Sequence, residues 1–129
     1  MPNLRQESFG PGDQSWLGST HGIRNARTVV LDISTFNQGT HYPDGYIKSG
    51  FPLAIVDGKA VPYDVTAGTT TGAGVLAGHL LTDQRVYGSA DFGVPLLDHG
   101  RVKVAKIAAI LAGFIKPITA KNATTIVHI

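Results

Sequence analysis

The chain has 129 residues, a formal net charge of +2, only 16% charged residues and no cysteine. A single domain of this length buries most of its apolar surface, and the lack of cysteine excludes disulfides, thiolate metal sites and cysteine nucleophiles. The eleven basic residues are scattered. The sequence therefore predicts neither a nucleic-acid footprint nor a signal peptide, and it predicts no apolar run long enough to span a bilayer.

Residues 1–17 predict an extended N-terminal arm, because their proline, glycine and polar residues show neither a helical nor a strand period. Phe9, Trp16 and Leu17 are unusual side chains for a solvated tail. Two interpretations remain open: Trp16 and Leu17 pack onto the domain where the arm joins it, or the arm docks on a partner. Residues 18–129 form the predicted single domain.

The first predicted strand of the domain covers residues 28–33. Apolar and polar side chains alternate there, which places Val29, Leu31 and Ile33 on one face. The sequence Pro-Asp-Gly at 43–45 predicts a turn, since proline fixes φ and glycine relieves the exit.

The clearest local pattern is a hairpin. Residues 53–56 and 59–61 are short apolar runs separated by Asp57-Gly58. This dipeptide favours a type I′ turn, in which both central residues have positive φ. Pro62 has no N–H to donate, so the second strand should be short or lie at a sheet edge.

Further strands are predicted downstream. Residues 74–81 predict one strand, and residues 94–97 and 101–106 predict two more. The segment 98–100, Asp-His-Gly, resembles the three-residue loop of a hairpin that would join the last two.

The end of the chain is less regular. Residues 107–114 are apolar all round, so they fit either a short buried helix or an extended segment. A last helical turn at 117–120 and a strand at 124–129 complete the pattern. The sum predicts a mainly β (β-rich α+β) fold. Its body is a small β-barrel or β-sandwich with one or two short helices, preceded by the arm.

Catalytic chemistry is not indicated. The histidines lie one per segment, and no pair has a metal-ligand spacing: His21, His41, His79, His99 and His128. No serine stands at a nucleophile elbow, no glycine-rich segment is a phosphate loop, and the aspartates mostly lie at turns, where they cap backbone amides. The sequence therefore predicts a protein that is not an enzyme and that has no cofactor or metal.

Four segments together resemble a known family. They are GTHYPDGYIKSGFPLAIV at 39–56, PYD at 62–64, VLAGHLLTD at 75–83 and LLDHGRVKV at 96–104. In this order they resemble the head decoration proteins of tailed bacteriophages, the lambda-type decoration protein family, and in particular those of phages infecting actinobacteria. The resemblance runs from about residue 18 to 106, and it is weakest in the arm and at 108–114.

The resemblance implies a non-enzymatic virion protein, made in the host bacterial cytoplasm and bound to the outer surface of the capsid. Homotrimers would occupy threefold and quasi-threefold positions of the expanded head and stabilise it against the pressure of packaged DNA. The partner is the major capsid protein, with no direct nucleic-acid or membrane contact. The candidates for capsid contact are Leu4, Phe9, Trp16, Leu17, Arg24 and Arg27.

Two other functions stay open at this point. The first is a phage adhesin that binds host-surface carbohydrate, with exposed aromatics as candidates: Tyr42, Tyr46, Tyr63 and Tyr87. The second is a small metal-dependent enzyme that combines two half-sites: His41, Asp44, His79 and Asp83.

Overall fold

A computed structural model of the chain describes residues 15–18, 26–68, 72–86, 88, 90–111 and 113–129. The strands in these residues are β1 (Arg27–Leu31), β2 (Tyr46–Ile47), β3 (Pro52–Val56), β4 (Lys59–Pro62), β5 (Gly78–Leu80), β6 (Gln84–Arg85), β7 (Phe92–Leu97), β8 (His99–Val102) and β9 (Thr125–His128). The α-helices are α1 (Gln38–His41) and α2 (Val104–Ala108), and the 3-10 turns are Ile33–Thr35 and Thr119–Lys121. The predicted mainly β fold with short helices is confirmed.

Five strands close into a small barrel in the order β1-β4-β3-β5-β7. The β1–β4 contact is parallel, and every other pairing around the ring is antiparallel. Closure gives each strand a neighbour on both sides, which removes the exposed edges of an open sheet. The remaining strands pair outside the barrel, β2 with β6 and β8 with β9.

The predicted hairpin is β3 and β4, with Val56 paired to Lys59 across the turn. Asp57 has φ 52° and Gly58 has φ 80°, so both central residues adopt the positive φ of a type I′ turn. β4 is short and ends at Pro62, as expected. It is not an edge strand, because its other side pairs with β1.

The barrel interior is filled by alternating side chains. In β1, Val29 and Leu31 are buried whereas Val30 between them is exposed. The buried residues of this first core are Val29, Leu31, Ile33, Phe36, Ile47, Phe51, Leu53, Ala60, Ala77, Leu80, Val94 and Leu96.

The predicted hairpin at residues 98–100 is wrong. β8 does not pair with β7; it pairs in parallel with β9, with Gly100 opposite Ile126. The physical reason is that β1 and β5 already occupy both edges of β7. After β7 ends at Leu97, the chain therefore continues outside the barrel, where β8 pairs with the C-terminal strand β9.

Two further expectations are revised. The strand predicted at 74–81 is only β5, because Leu76 forms an isolated bridge with Asn122 before the chain enters the barrel. The stretch 107–114, for which helix and extended structure were both open, contains only the end of a helix. α2 begins before it, at Val104, and is followed by turns from Ala109 onwards. The last turn is a 3-10 turn at Thr119–Lys121, and the terminal strand, β9, is confirmed.

The last part of the chain, β8, α2 and β9, forms a C-terminal layer, and a second core holds it against the barrel. Its buried residues are Trp16, Tyr63, Leu76, Leu97, Val102, Ile107, Phe114 and Ile126. Among the described residues, no helix is both long and apolar enough to cross a membrane.

Candidate functional site

Trp16 lies inside the body, although it falls in the predicted arm. Its side chain is 1% exposed, and its Nε1–H donates to Ser49 Oγ at 3.0 Å. Ser49 Oγ in turn donates to the carbonyl oxygen of Leu81 at 2.7 Å. Of the two interpretations of Trp16, the structure shows packing onto its own domain. In this conformation the indole is not available to a pocket on a capsid subunit.

Leu17 and Gly18 continue the same attachment. Leu17 is half-buried and forms an antiparallel bridge with Val102 of β8. The Gly18 amide donates to the carbonyl oxygen of Arg101, and the Lys103 amide donates to that of Trp16. Residues 16–18 therefore lie beside β8 as an extra extended segment, and the packed body includes part of the predicted arm.

The other predicted contact residues have different placements. Arg27 is exposed at the start of β1, and its Nε lies 3.2 Å from Asp98 Oδ2. An exposed pair of this kind contributes at most about 1 kcal/mol to stability. Leu4, Phe9 and Arg24 lie outside the described residues.

Two histidines that the sequence did not predict to meet form a buried pair. His79 of β5 and His128 of β9 lie with their Nε2 atoms 3.2 Å apart, and they are 0% and 4% exposed. His79 Nδ1 lies 2.9 Å from the carbonyl oxygen of Gly50. The two histidines are 49 positions apart in the sequence, so no short-range spacing could reveal them. The available signal was that each stands among apolar residues on a strand.

Aromatic rings surround this pair. The His79 ring centroid lies 5.8 Å from those of both Trp16 and Phe114, and His128 lies 6.1 Å from Phe114. Tyr63 meets Phe114 edge-on at 5.8 Å. The pair and these rings join the N-terminal segment, the barrel and β9, and we refer to His79, His128, Trp16, Phe114 and Ser49 as the histidine cluster.

Burial controls the protonation of the cluster. Removal from water lowers the pKa of His79 to about 3, an effect opposed by its bond to Gly50 and reinforced by His128. Burial also lowers the pKa of His128 to about 4, with Lys116 adding repulsion. Both imidazoles are therefore neutral at pH 7.

The half-sites considered for a metal enzyme do not converge. His79 contacts His128, and Asp83 instead accepts the Ser49 amide at 2.7 Å. His41 Nδ1 accepts the Asn37 amide at 2.8 Å. Within the described part of the chain, no three His, Cys, Asp or Glu side chains form a group that could hold a metal ion.

A cleft of about 740 Å³ lies beside the β3–β4 hairpin and is lined partly by Asp32, Tyr63 and Asp64. Asp32 and Asp64 accept hydrogen bonds from nearby hydroxyl and backbone groups. Asp32 Oδ1 accepts from Ser34 Oγ at 2.6 Å, and Asp64 Oδ1 accepts from Thr66 at 2.9 and 2.7 Å. These are the turn-capping bonds expected of aspartate, and they do not form an acid–base pair.

Exposed apolar side chains are concentrated near the C-terminus. Of the five large hydrophobic side chains that are exposed in the described residues, four lie between Ile115 and Ile129. They are Ile115, Ile118, Val127 and Ile129, the C-terminal apolar residues. In contrast, every described Trp, Tyr and Phe is buried or half-buried, including the adhesin candidates Tyr42, Tyr46 and Tyr63. Tyr87 lies outside the described residues.

Comparison with protein-family models, with curated proteins and with solved structures gives no match to this chain.

Proposed function

We propose that this chain is a capsid decoration protein, which binds the outside of an expanded bacteriophage head as a trimer and stabilises the shell. The proposal starts from the ordered motifs at 39–56, 62–64, 75–83 and 96–104, which resemble that family. The observation that supports it in the structure is exposure: in the described residues, four of the five exposed large hydrophobic side chains belong to residues 115–129 of the sequence. Such residues favour a covered surface over a solvated one.

Two contacts are needed, one between copies and one with the shell. We assign the shell contact to the arm, with Leu4 and Phe9 as its apolar anchors, because a strand added to a partner sheet uses main-chain bonds and alternate side chains. We assign the C-terminal apolar residues to the neighbouring copy. Three arms held by one trimer could raise the affinity for the shell by roughly 10²–10⁴ over a single arm.

The surface also favours this function over carbohydrate binding. A sugar-binding module presents exposed aromatic rings, and the described aromatic side chains here are buried or half-buried. Aliphatic side chains such as Val127 and Ile129, at 49% and 55% exposure, suit a protein contact better.

The direct test is to add the purified protein to expanded heads that lack it, followed by cryo-electron microscopy and a challenge with chelator, heat or osmotic shock. We expect trimeric density at the threefold and quasi-threefold positions. Decorated heads should outlast bare ones, because a ligand that binds only the assembled shell stabilises it by mass action. Single scattered copies, or equal survival of bare and decorated heads, would contradict the proposal.

The contact between copies has its own test. Val127→Lys places a charge among the C-terminal apolar residues and should shift the protein towards monomer in sedimentation experiments. Thr28→Lys, at an exposed position of β1, is the matched control and should leave the assembly unchanged. Identical sedimentation of the wild type and both variants would show that Val127 is not in the contact.

A further inference from the structure

The histidine cluster has a fixed arrangement of protons. A carbonyl oxygen only accepts, so His79 Nδ1 must donate its hydrogen to Gly50. The Nε2 atom of neutral His79 is then an acceptor, and His128 Nε2 donates to it across 3.2 Å. A further proton on His79 would set two N–H donors against each other and place a charge in a fully buried position.

No described carboxylate compensates such a charge. The charged group that acts on His128 is Lys116, which repels an imidazolium. Asp83 accepts the Ser49 amide, and the rings that contact the histidine pair are those of Trp16 and Phe114. Protonation of His79 therefore favours separation of the pair and access of water. A charged His128 would keep its Nε2–H bond to His79, but burial and Lys116 oppose that charge.

The two sides of the pair are held with unequal strength. His79 stands in β5, which is bonded to β3 and β7 within the closed barrel. His128 stands in β9, whose strand partner in the described chain is β8 alone. The N-terminal segment is likewise held by one bridge and by the Trp16 side chain.

We propose that His79 and His128 form an acid-sensitive latch, which releases β9 and the Trp16 segment from the barrel when the pair takes up protons, while the barrel itself stays closed. The latch belongs to the body and does not depend on the proposed capsid function. Its consequence is that acid exposes the second core, which is shielded at neutral pH.

The direction of the pH effect follows from linkage. Both folded-state pKa values, about 3 and about 4, lie below the ordinary histidine value of 6.5. The open form therefore binds protons more readily, and the closed form is favoured above pH 6.5. As the pH falls from about 6.5 towards 4, the opening equilibrium should rise by about tenfold per pH unit for each proton taken up.

The chain carries its own reporter, because Trp16 is its only tryptophan. Between pH 7.5 and 4.5, with EDTA present so that no metal ion replaces the proton, we expect the Trp16 emission to shift to the red. Hydrogen exchange, corrected for intrinsic rates, should accelerate in residues 122–129 by at least tenfold while the β3–β4 hairpin stays protected.

Variants separate the pair from the other histidines. The double variant His79→Gln, His128→Gln keeps side-chain amides for both hydrogen bonds but cannot be protonated, so its emission and exchange should be flat over this range. His41→Gln, on α1 and outside both β9 and the histidine cluster, is the matched control and should behave like the wild type.

Several results would overturn the latch. They are a wild type whose emission and β9 exchange do not change, a double variant with the wild-type transition, and simultaneous loss of protection in the barrel and β9. Should the double variant fail to fold, the wild-type imidazole NMR signals decide. Titration of His79 or His128 near pH 6.5 with β9 still protected overturns the proposal, and resistance to protonation until β9 opens supports it.

Discussion

Trp16 fastens the N-terminal segment to the barrel through one hydrogen bond and close ring packing. The bond to Ser49 satisfies the indole N–H, the polar group that a buried tryptophan has to place. The ring also lies so close to the turn before β3 that a methyl group on Gly50 would stand 2.8 Å from Trp16 Cδ1. Position 50 thus combines two constraints, a close approach and a backbone φ of +95°.

Trp16→Ala should lower the free energy of unfolding by about 3–5 kcal/mol, because it leaves a large cavity in the second core. Trp16→Phe should cost less, about 1–2 kcal/mol, since it mainly removes the bond to Ser49. Urea unfolding followed by far-ultraviolet circular dichroism measures both without a tryptophan signal. Ile118→Ala, at a side chain 65% exposed, is the control and should stay within about 0.5 kcal/mol when the monomer is measured at low protein concentration. Unchanged stability in Trp16→Ala would show that the indole is not packed in the body.

Gly50→Ala should be destabilising by more than about 1 kcal/mol, because alanine is strained at positive φ and its methyl group meets the indole. Gly68→Ala is the matched control, since a methyl group there meets no atom within 4 Å. Both changes reduce the freedom of the unfolded chain equally, so the difference between their urea midpoints isolates the native-state strain. Equal midpoints would contradict the close packing of Trp16 on this turn.

At the scale of the element, β9 separates its two faces. Ile126 and His128 point into the second core, whereas Thr125 and Val127 are exposed. Its register with β8 places Ile126 opposite Gly100. One strand therefore supplies both the packing that holds the C-terminal layer and part of the apolar surface assigned to a neighbouring copy.

Truncation of two isoleucines near the C-terminus should give different results. Ile126→Ala should lower the free energy of unfolding by about 2–5 kcal/mol, as expected for a core residue that is 5% exposed. Ile129→Ala, at 55% exposure, should change it by about 1 kcal/mol or less in the monomer. Thermal and urea unfolding at low protein concentration measure this contrast, and comparable losses would contradict the observed facing of the strand.

Elements that are determined by neighbouring residues in the sequence were predicted correctly, whereas those that depend on distant parts of the chain were not. The β3–β4 hairpin was predictable, because the turn depends only on the backbone conformations of two neighbouring residues, Asp57 and Gly58. The prediction of a hairpin at 98–100 was wrong, because β1 and β5 already pair with the two edges of β7 in the closed barrel. The His79–His128 contact was equally unpredictable, since it depends on the placement of β9 over the barrel.

On the scale of the whole molecule, the barrel is the part that closes on itself, and the C-terminal layer is added to it. Residues 16–18 and β9 both pair with β8 outside the barrel, and the second core lies between these strands and the barrel. The folded body therefore begins before residue 18, the boundary that the sequence predicted. A test of the arm has to leave Trp16 in place, or it will confuse loss of binding with loss of folding.

Two truncations distinguish loss of shell binding from loss of folding. Deletion of residues 1–14 should leave the free energy of unfolding within about 1 kcal/mol of the full chain, because the contacts of Trp16, Leu17 and Gly18 remain. Deletion of residues 1–17 should lower it by about 3–5 kcal/mol, since it removes the indole from the second core. Urea unfolding establishes the folded state of each, and binding to expanded heads is then compared per folded molecule. If the arm makes the shell contact, the shorter deletion should already abolish most binding while the body remains folded. Full decoration by the protein lacking residues 1–14 would instead place the shell contact on the body, and would rule out Leu4 and Phe9 as its anchors.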